Sequence, residues 1–246
     1  EPGFYYKEKG IGVEAKRSNG KYIITGRKLF VPDVPIADFI ICVARTSEHG
    51  VTLFICNRDD SQVEISPLKT ISADRHYEVN FEGVEVSAED ILGELDNGWK
   101  HVEKLIFRGA LLKSAEMLGG AEEVLEMCVE YSKIREQFGR PIGSFQAIQH
   151  YCANMAMDIN MSRNLIYKAA WAIDQGMESE MEICRAKAWC SDVYRKVVQT
   201  AHQIFGAIAF CEEHDLFLYM RHAKACEVSY GDSSYQREMI ANHLFA

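Results

Sequence analysis

Hydrophobic positions in the first ninety or so residues follow a period of two, the mark of strands that bury one face. Lys21-Tyr-Ile-Ile-Thr-Gly26-Arg-Lys-Leu-Phe30 reads as two short runs folded about Gly26. Ala37-Asp-Phe-Ile-Ile-Cys-Val-Ala44 and Val51-Thr-Leu-Phe-Ile-Cys56 form a second pair, joined by a turn through Ser47-Glu-His-Gly50. Tyr77, Val79 and Phe81 alternate with polar residues ahead of Gly83. Short strands rich in β-branched and aromatic residues, with four of the five prolines (Pro2, Pro32, Pro35, Pro67) among them, predict a small β-barrel over residues 1–95.

After Gly98 the period lengthens to about 3.6. Phe107, Leu111, Ser114, Leu118, Ala121, Leu125, Cys128 and Ser132 recur at alternating spacings of four and three. Phe138-Gly139-Arg140-Pro141-Ile142-Gly143 then breaks the helix, and Ser144 is placed to cap the next. That helix carries Phe145, Ile148, Cys152, Met155, Ile159, Ser162, Ile166, Ala169 and Ile173, with Met157 and Met161 read as neighbours of the seam. A third seam runs Ile183, Ala186, Cys190, Val193, Val197, Thr200 and Ile204. About thirty residues each, or roughly 45 Å of helix, these three plus a shorter terminal helix predict an antiparallel four-helix bundle over residues 96–246. The fold class is α+β.

Composition narrows the range of partners. A formal charge of −9, with 27 basic against 36 acidic residues, excludes a general nucleic-acid binder and an electrostatic membrane binder. No apolar run approaches a transmembrane span, and the first residues do not read as a signal peptide. The first residue is Glu1 rather than Met, so the chain is expected to begin inside a longer protein. Eight cysteines contain no Cys-x-x-Cys pair and sit mostly among apolar neighbours, which fits reduced thiols in the cytoplasm or another reducing compartment such as a mitochondrial matrix. The histidines, His101 and His222 included, show no metal-ligand spacing, and Glu116 and Glu122 read as solvated helix positions.

The stretch Tyr131-Ser-Lys-Ile-Arg-Glu-Gln-Phe-Gly-Arg-Pro-Ile-Gly-Ser-Phe-Gln-Ala-Ile-Gln-His150 resembles the acyl-CoA dehydrogenase signature Tyr-x-x-x-Arg-x-x-Phe-Gly-x-x-Ile-x-x-Phe-Gln. Glu1-Pro-Gly resembles the tail of the family's Thr-Glu-Pro motif, and Gly26-Arg-Lys-Leu-Phe30 its Gly-x-Lys-x-Phe/Trp strand. Phe81-Glu-Gly-Val-Glu-Val86, Leu92-Gly and Gly98-Trp99 resemble the crossing between its two C-terminal parts, and Gln203-Ile-Phe-Gly206 and Gly231 to Arg237 its late segments. The resemblance implies the family's middle barrel and C-terminal bundle without its N-terminal helical domain.

It also implies FAD held between barrel and bundle, partly across a subunit interface, in a homo- or hetero-oligomer built as a dimer of dimers. The implied reaction is α,β-dehydrogenation of an acyl-CoA thioester. A carboxylate removes the α-proton, the flavin takes the β-hydride, and an electron-transfer flavoprotein or similar acceptor reoxidises it. On this basis Arg135 and Phe138 contact the FAD diphosphate and adenine side, Gln203 and Gly206 approach it through backbone, and Phe30 covers the flavin ring.

Several positions depart from the family pattern. Pro32 replaces a Thr, Ala207 and Ala209 replace glycines, and Tyr230 stands at the customary Glu of Tyr-Glu-Gly-Thr-x-x-x-Gln-Arg. The alternative base position falls near Gly109, with Phe107 and Arg108 beside it. With neither position a carboxylate, the catalytic residue is left unassigned, and Asp232 reads first as a helix cap. Two functions follow: an active dehydrogenase, or a non-catalytic subunit that completes a partner's FAD site.

Overall fold

The computed structural model describes residues 6–72 and 74–245, so the Glu1-Pro-Gly motif lies outside the described residues. The chain divides into two compact units, Glu1–Ile106 and Phe107–Ala246.

The first unit holds a seven-stranded sheet formed by β1 (Glu14–Ser18), β2 (Lys21–Pro32), β3 (Phe39–Ser47), β4 (Gly50–Asn57), β5 (Val63–Leu68), β6 (His76–Val86) and β7 (Ile91–Leu92). The strand order is β5-β6-β2-β1-β3-β4-β7. Pairings are antiparallel except β1 with β3, which is parallel. The expected barrel is therefore not closed: among the described residues β5 and β7 end the sheet and do not pair with each other. Alternation places Tyr22, Ile24, Cys42, Ala44, Phe54, Cys56, Val79 and Phe81 on a shared buried face, as the period of two requires.

The expected turn at Gly26 is not a turn. β2 runs unbroken through it, and the glycine is needed because φ is +135° and any Cβ would stand 3.0 Å from the Val13 Cα. Near its end β2 slips register against β6 between Lys28 and Val31, and Phe30 sits in that irregularity.

The second unit is helical. α1 (Trp99–Ile134), α2 (Gln146–Asp174) and α3 (Glu180–Phe205) are the three long helices expected from the seams. The terminal helix is in fact two, α4 (Asp215–Val228) and α5 (Ser233–Phe245). The break comes where Tyr230 and Gly231 adopt φ of +57° and +86°, values no helix accommodates. The seam residues Leu111, Ser114, Ala121, Cys128, Met155, Ile159, Ile166, Ile183, Ala186, Cys190, Val193, Val197 and Ile204 are buried. α3 is buried on more than one side and packs against α2, α4 and α5. Met157 and Met161, by contrast, are exposed rather than seam residues. Among the described residues no helix is long and apolar enough to cross a membrane.

Ser144 does not cap α2. It ends a 3-10 turn, Ile142–Ser144, and that geometry brings the Pro141 carbonyl within reach, so its hydroxyl donates there at 2.7 Å. Between α1 and α2, β8 (Glu136–Gln137) and β9 (Arg140–Pro141) form a minimal hairpin around Phe138-Gly139. Both turn residues have positive φ, +55° and +74°, the type I′ geometry that matches strand twist.

Candidate functional site

Three of the residues singled out by sequence are aromatic, and all three occupy left-handed backbone: Phe30, Phe138 and Tyr230, with φ of +57°, +55° and +57°. For a bulky side chain this costs on the order of 1 kcal/mol or more, and such outliers cluster where a ligand is held. For two of them the reward is not core packing. Phe30 is 62% exposed and Phe138 93% exposed. Phe138 meets Phe145 edge-on with centroids 6.1 Å apart, and the Arg140 guanidinium covers the Phe145 ring instead.

Arg135 follows the last turn of α1, its backbone tied to Tyr131 and Ile142. Its side chain is exposed, and its guanidinium has no acidic partner among the described residues. The hairpin thus presents a cation and an aromatic ring a few residues apart. Tyr131, at the head of the same motif, stacks on Phe205 at 4.3 Å and anchors α1 to α3.

Gln203 and Gly206 come together at the C-terminal end of α3, where they line an open cavity of about 510 Å³ with Val198, Gln199, His202, Ala207, Phe210 and Met220. Gly206 ends the helix at φ +70°, and among the described residues nothing lies within 4 Å of where a Cβ would be. Of the two Gly-to-Ala departures, Ala209 is buried in the core and Ala207 lines the cavity, so one added methyl faces it. His202 is a residue that sequence reasoning missed. Its Nδ1 lies 2.8 Å from the Val198 carbonyl, which only accepts, so Nδ1 carries the proton. Nε2 is buried and without a partner among the described residues, and in the neutral ring it is the accepting nitrogen. In the first unit His76 Nδ1 is likewise buried and unpartnered, on the ring that Phe30 meets edge-on.

The turn carrying Tyr230 is held from three sides. Lys187, fully buried on α3, donates to the carbonyls of Cys226, Glu227 and Gly231 at 3.2, 3.1 and 3.0 Å and to Ser191 Oγ at 3.0 Å. Gln236 Nε2 donates to the Tyr230 carbonyl at 2.7 Å. Asp232 caps α5, accepting from the Tyr235 N–H at 2.8 Å. The Tyr230 ring lies against Gly109 of α1 so closely that a Cβ on Gly109 would stand 2.4 Å from the Tyr230 Cε1. The two positions reached separately from the sequence are therefore neighbours in space. Gly109→Ala is expected to force the phenol away and lower stability by about 1–3 kcal/mol, read as a lower urea midpoint at unchanged slope.

Glu116 and Glu122 are not simply solvated. Glu122 pairs with Arg163, and Glu116 pairs with Lys113 and with His222, whose Nε2 lies 2.6 Å from its Oε1. Burial acts to raise the Glu116 pKa, but hydrogen bonds from Lys113 and His222 outweigh it and hold the carboxyl below its ordinary value.

The descriptions "Acyl-CoA dehydrogenase, C-terminal domain" and "Acyl-CoA dehydrogenase, middle domain" match residues 96–245 and 8–84. The chain belongs to the acyl-CoA dehydrogenase family. It is 31% identical over 251 residues to a 3-(aryl)acrylate reductase of Clostridium sporogenes, covering 99% of this chain and 67% of that protein. It is 34% identical over 231 residues to the short-chain specific acyl-CoA dehydrogenase of Megasphaera elsdenii, covering 91% of this chain and 60% of that one. The structure of butyryl-CoA dehydrogenase from Megasphaera elsdenii superposes with a TM-score of 0.96 at 32% identity, covering all of this chain and 66% of that one. The chain spans 60–67% of the length of these relatives. The two positions at which the resemblance leads one to expect a base, Tyr230 and Gly109, are in contact, and neither is a carboxylate.

Proposed function

We propose that this chain is the FAD-binding part of an acyl-CoA dehydrogenase-like flavoprotein that carries out α,β-dehydrogenation of an acyl-CoA thioester. The observation that carries this reading is the β8–β9 hairpin, where Phe138 is held out on left-handed backbone near Arg135, which has no acidic partner among the described residues. Among the described residues the Phe138 ring meets only the edge of Phe145, whereas a planar guanidinium next to an exposed ring suits a diphosphate joined to an aromatic base.

The other residues fit the same cofactor. Gln203 and the bare backbone of Gly206 face the cavity, and His202 Nε2 waits there for a donor such as a ribose hydroxyl. In the first unit Phe30 presents an exposed ring of the kind a flavin stacks on. Bound FAD would supply the hydride acceptor. Arg135 would neutralise phosphate charge and Phe138 would exclude water from it. Tyr230 is the group at the customary proton-transfer position, since Asp232 is engaged in capping α5.

Residues 1–95 then correspond to the middle domain and residues 96–246 to the C-terminal domain. An electron-transfer flavoprotein or similar acceptor completes the cycle. A homo- or hetero-oligomer, a dimer of dimers, is supported by exposed Met157, Met161, Tyr167 and Trp171 on α2. A reducing compartment, the cytoplasm or a mitochondrial matrix, suits the eight cysteines, none of which forms a disulfide among the described residues.

One observation favours a second reading. With no carboxylate at the Tyr230–Gly109 contact, a redox-silent subunit that lends Arg135 and Phe138 to a partner's FAD is the alternative. Purified full-length protein decides between them. Visible flavin absorbance that bleaches anaerobically on adding acyl-CoAs supports the enzyme. A colourless protein, or a yellow one that no acyl-CoA bleaches, supports the silent subunit. In either assembly Arg135→Ala is expected to weaken FAD retention by roughly tenfold or more, about the 1.5–3 kcal/mol of a charged hydrogen bond, measured as flavin released on gel filtration. Unchanged retention would refute the role given to Arg135.

A further inference from the structure

The pairing of Glu116 with His222 has a third member, which the dehydrogenase reading does not use. His222 and Cys226 stand one turn apart on α4 and so project from one face of that helix. Glu116 reaches them from α1. The Cys226 Sγ lies 3.3 Å from His222 Nε2 and 3.8 Å from Glu116 Oε1, and Nε2 lies 2.6 Å from Oε1.

Two chemistries are compatible with Cys, His and Glu in one cluster, and the ring nitrogens separate them. A nucleophilic relay needs the thiol on one imidazole nitrogen and the carboxylate on the other. Here the carboxylate addresses Nε2 and the thiol lies nearer the same nitrogen, 3.3 Å from Nε2 against 3.8 Å from Nδ1, while Nδ1 is taken by Tyr194 Oη at 3.1 Å. Three donor atoms converging on one point is the arrangement of a chelate.

We propose that Glu116, His222 and Cys226 bind one zinc ion per chain, with water as the fourth ligand. Oxygen, imidazole nitrogen and thiolate sulfur form a borderline set that suits zinc and not magnesium or calcium. Tetrahedral zinc at ordinary bond lengths places sulfur ~3.5 Å from a nitrogen or oxygen ligand and nitrogen ~3.3 Å from oxygen. The two sulfur distances already agree to a few tenths of an ångström. Only the carboxylate must swing outward, and its side chain is 44% exposed. That open side also admits the water. Lys113 holds the other carboxylate oxygen, Oε2, at 2.6 Å and leaves Oε1 as the single ligand atom.

The surroundings fix the orientation of the imidazole through a hydrogen bond to its other nitrogen. On binding, the thiol proton goes to solvent, Nε2 takes the metal and the ring proton resides on Nδ1, where it donates to Tyr194 Oη. Tyr194 is buried on α3, and it fits only because residue 120 of α1 is glycine; a Cβ there would lie 2.4 Å from Oη. Glu116 and Gly120 are one turn apart, so one face of α1 supplies both a ligand and the room for the orienting phenol.

The test uses the full chain stripped of metal with a chelator, titrated with Zn²⁺ against a chromophoric competitor, and separately loaded with Co²⁺. The expected result is one equivalent per chain, and a sulfur-to-cobalt charge-transfer band in the near ultraviolet. His222→Gln and Cys226→Ser each remove a ligand and are expected to weaken zinc binding by more than the roughly 10–100-fold that losing a ligand's outer hydrogen-bond partner costs, and Cys226→Ser to abolish the band. Absence of a stoichiometric site, absence of the band in the unmodified chain, or zinc affinity unchanged in both variants overturns the proposal. Should a variant fail to show native helical circular dichroism, the cobalt spectrum of the unmodified chain decides alone. Flavin content and bleaching are read independently, so failure here leaves the dehydrogenase reading untouched.

Discussion

Replacing Tyr230 by Glu is expected to speed anaerobic flavin bleaching by a matching acyl-CoA roughly 10²–10³-fold at pH 7. A carboxyl side chain supplies a carboxylate as the proton acceptor, whereas a phenol must first lose its own proton to act as a base. General base catalysis contributes about 10²–10⁴ in rate when the base is correctly placed. The place is fixed independently of the side chain: Lys187 and Gln236 hold the carbonyls of residues 231 and 230, and Asp232 caps the helix that follows. Glu is smaller than Tyr, so it enters without disturbing Gly109. The measurement is the single-turnover bleaching rate of the full-length protein across pH, with Tyr230→Phe as the control. If Glu changes nothing and Phe also changes nothing, the α-proton goes to a group outside this turn, and the role given to Tyr230 is wrong.

The second large effect is expected at Lys187. Its burial is the leading cause that lowers its pKa, to about 8 from an ordinary 10.5, opposed by nearby Cys226, Cys190, Asp232 and Glu227. A lysine whose pKa falls on folding disfavours folding while protonated. Between about pH 8 and 10.5 the unfolded chain holds a proton that the native chain has lost, so stability rises with pH across that window. Below pH 8 both states are protonated and the cost, roughly 3 kcal/mol, is fully present. Direct bonds to three carbonyls and a hydroxyl offset it, because each of those acceptors would otherwise be buried unpaired at about 1–3 kcal/mol.

Lys187→Met is therefore expected to lose about 2–4 kcal/mol at pH 7, lowering Tm by roughly 4–16 °C, and to abolish the extra rise in stability between pH 8 and 10.5. Urea unfolding of both proteins across pH reads both quantities. Limited proteolysis adds a local readout, since the turn at 229–232 loses its hold on the Gly231 carbonyl first. A variant as stable as the parent with the same pH profile would show that Lys187 does not anchor the turn.

Much of the helical unit is legible in the sequence because its core-facing positions recur with a period the chain itself carries. Leu111 to Ser132 and Ile183 to Ile204 could be placed without a structure. The sheet was less legible for a local reason. Gly26 looks like a turn residue, but β2 passes straight through it because Val13 crowds the strand there. The split between α4 and α5 was hidden similarly, since Tyr230 gives no sign in its side chain that its backbone is left-handed. Of the candidate site, Arg135, Phe138, Gln203 and Gly206 were found by motif, while His202 was not. Its significance is an unpaired nitrogen, which only the position of the Val198 carbonyl reveals. The Glu116–His222–Cys226 cluster was missed for the commonest reason. His-x-x-x-Cys is visible on α4, but Glu116 lies 106 residues earlier than His222 and joins it through the packing of helices.

Phe30, Phe138 and Tyr230 share one further consequence. Each sits where Gly or Asn would relieve the backbone by on the order of 1 kcal/mol, and two of them return no core packing in exchange. Laboratory selection for heat resistance alone would therefore drift toward small residues at these positions. It would deliver a hardier scaffold stripped of the rings that face outward, and thermal robustness and recognition would be improved at each other's expense.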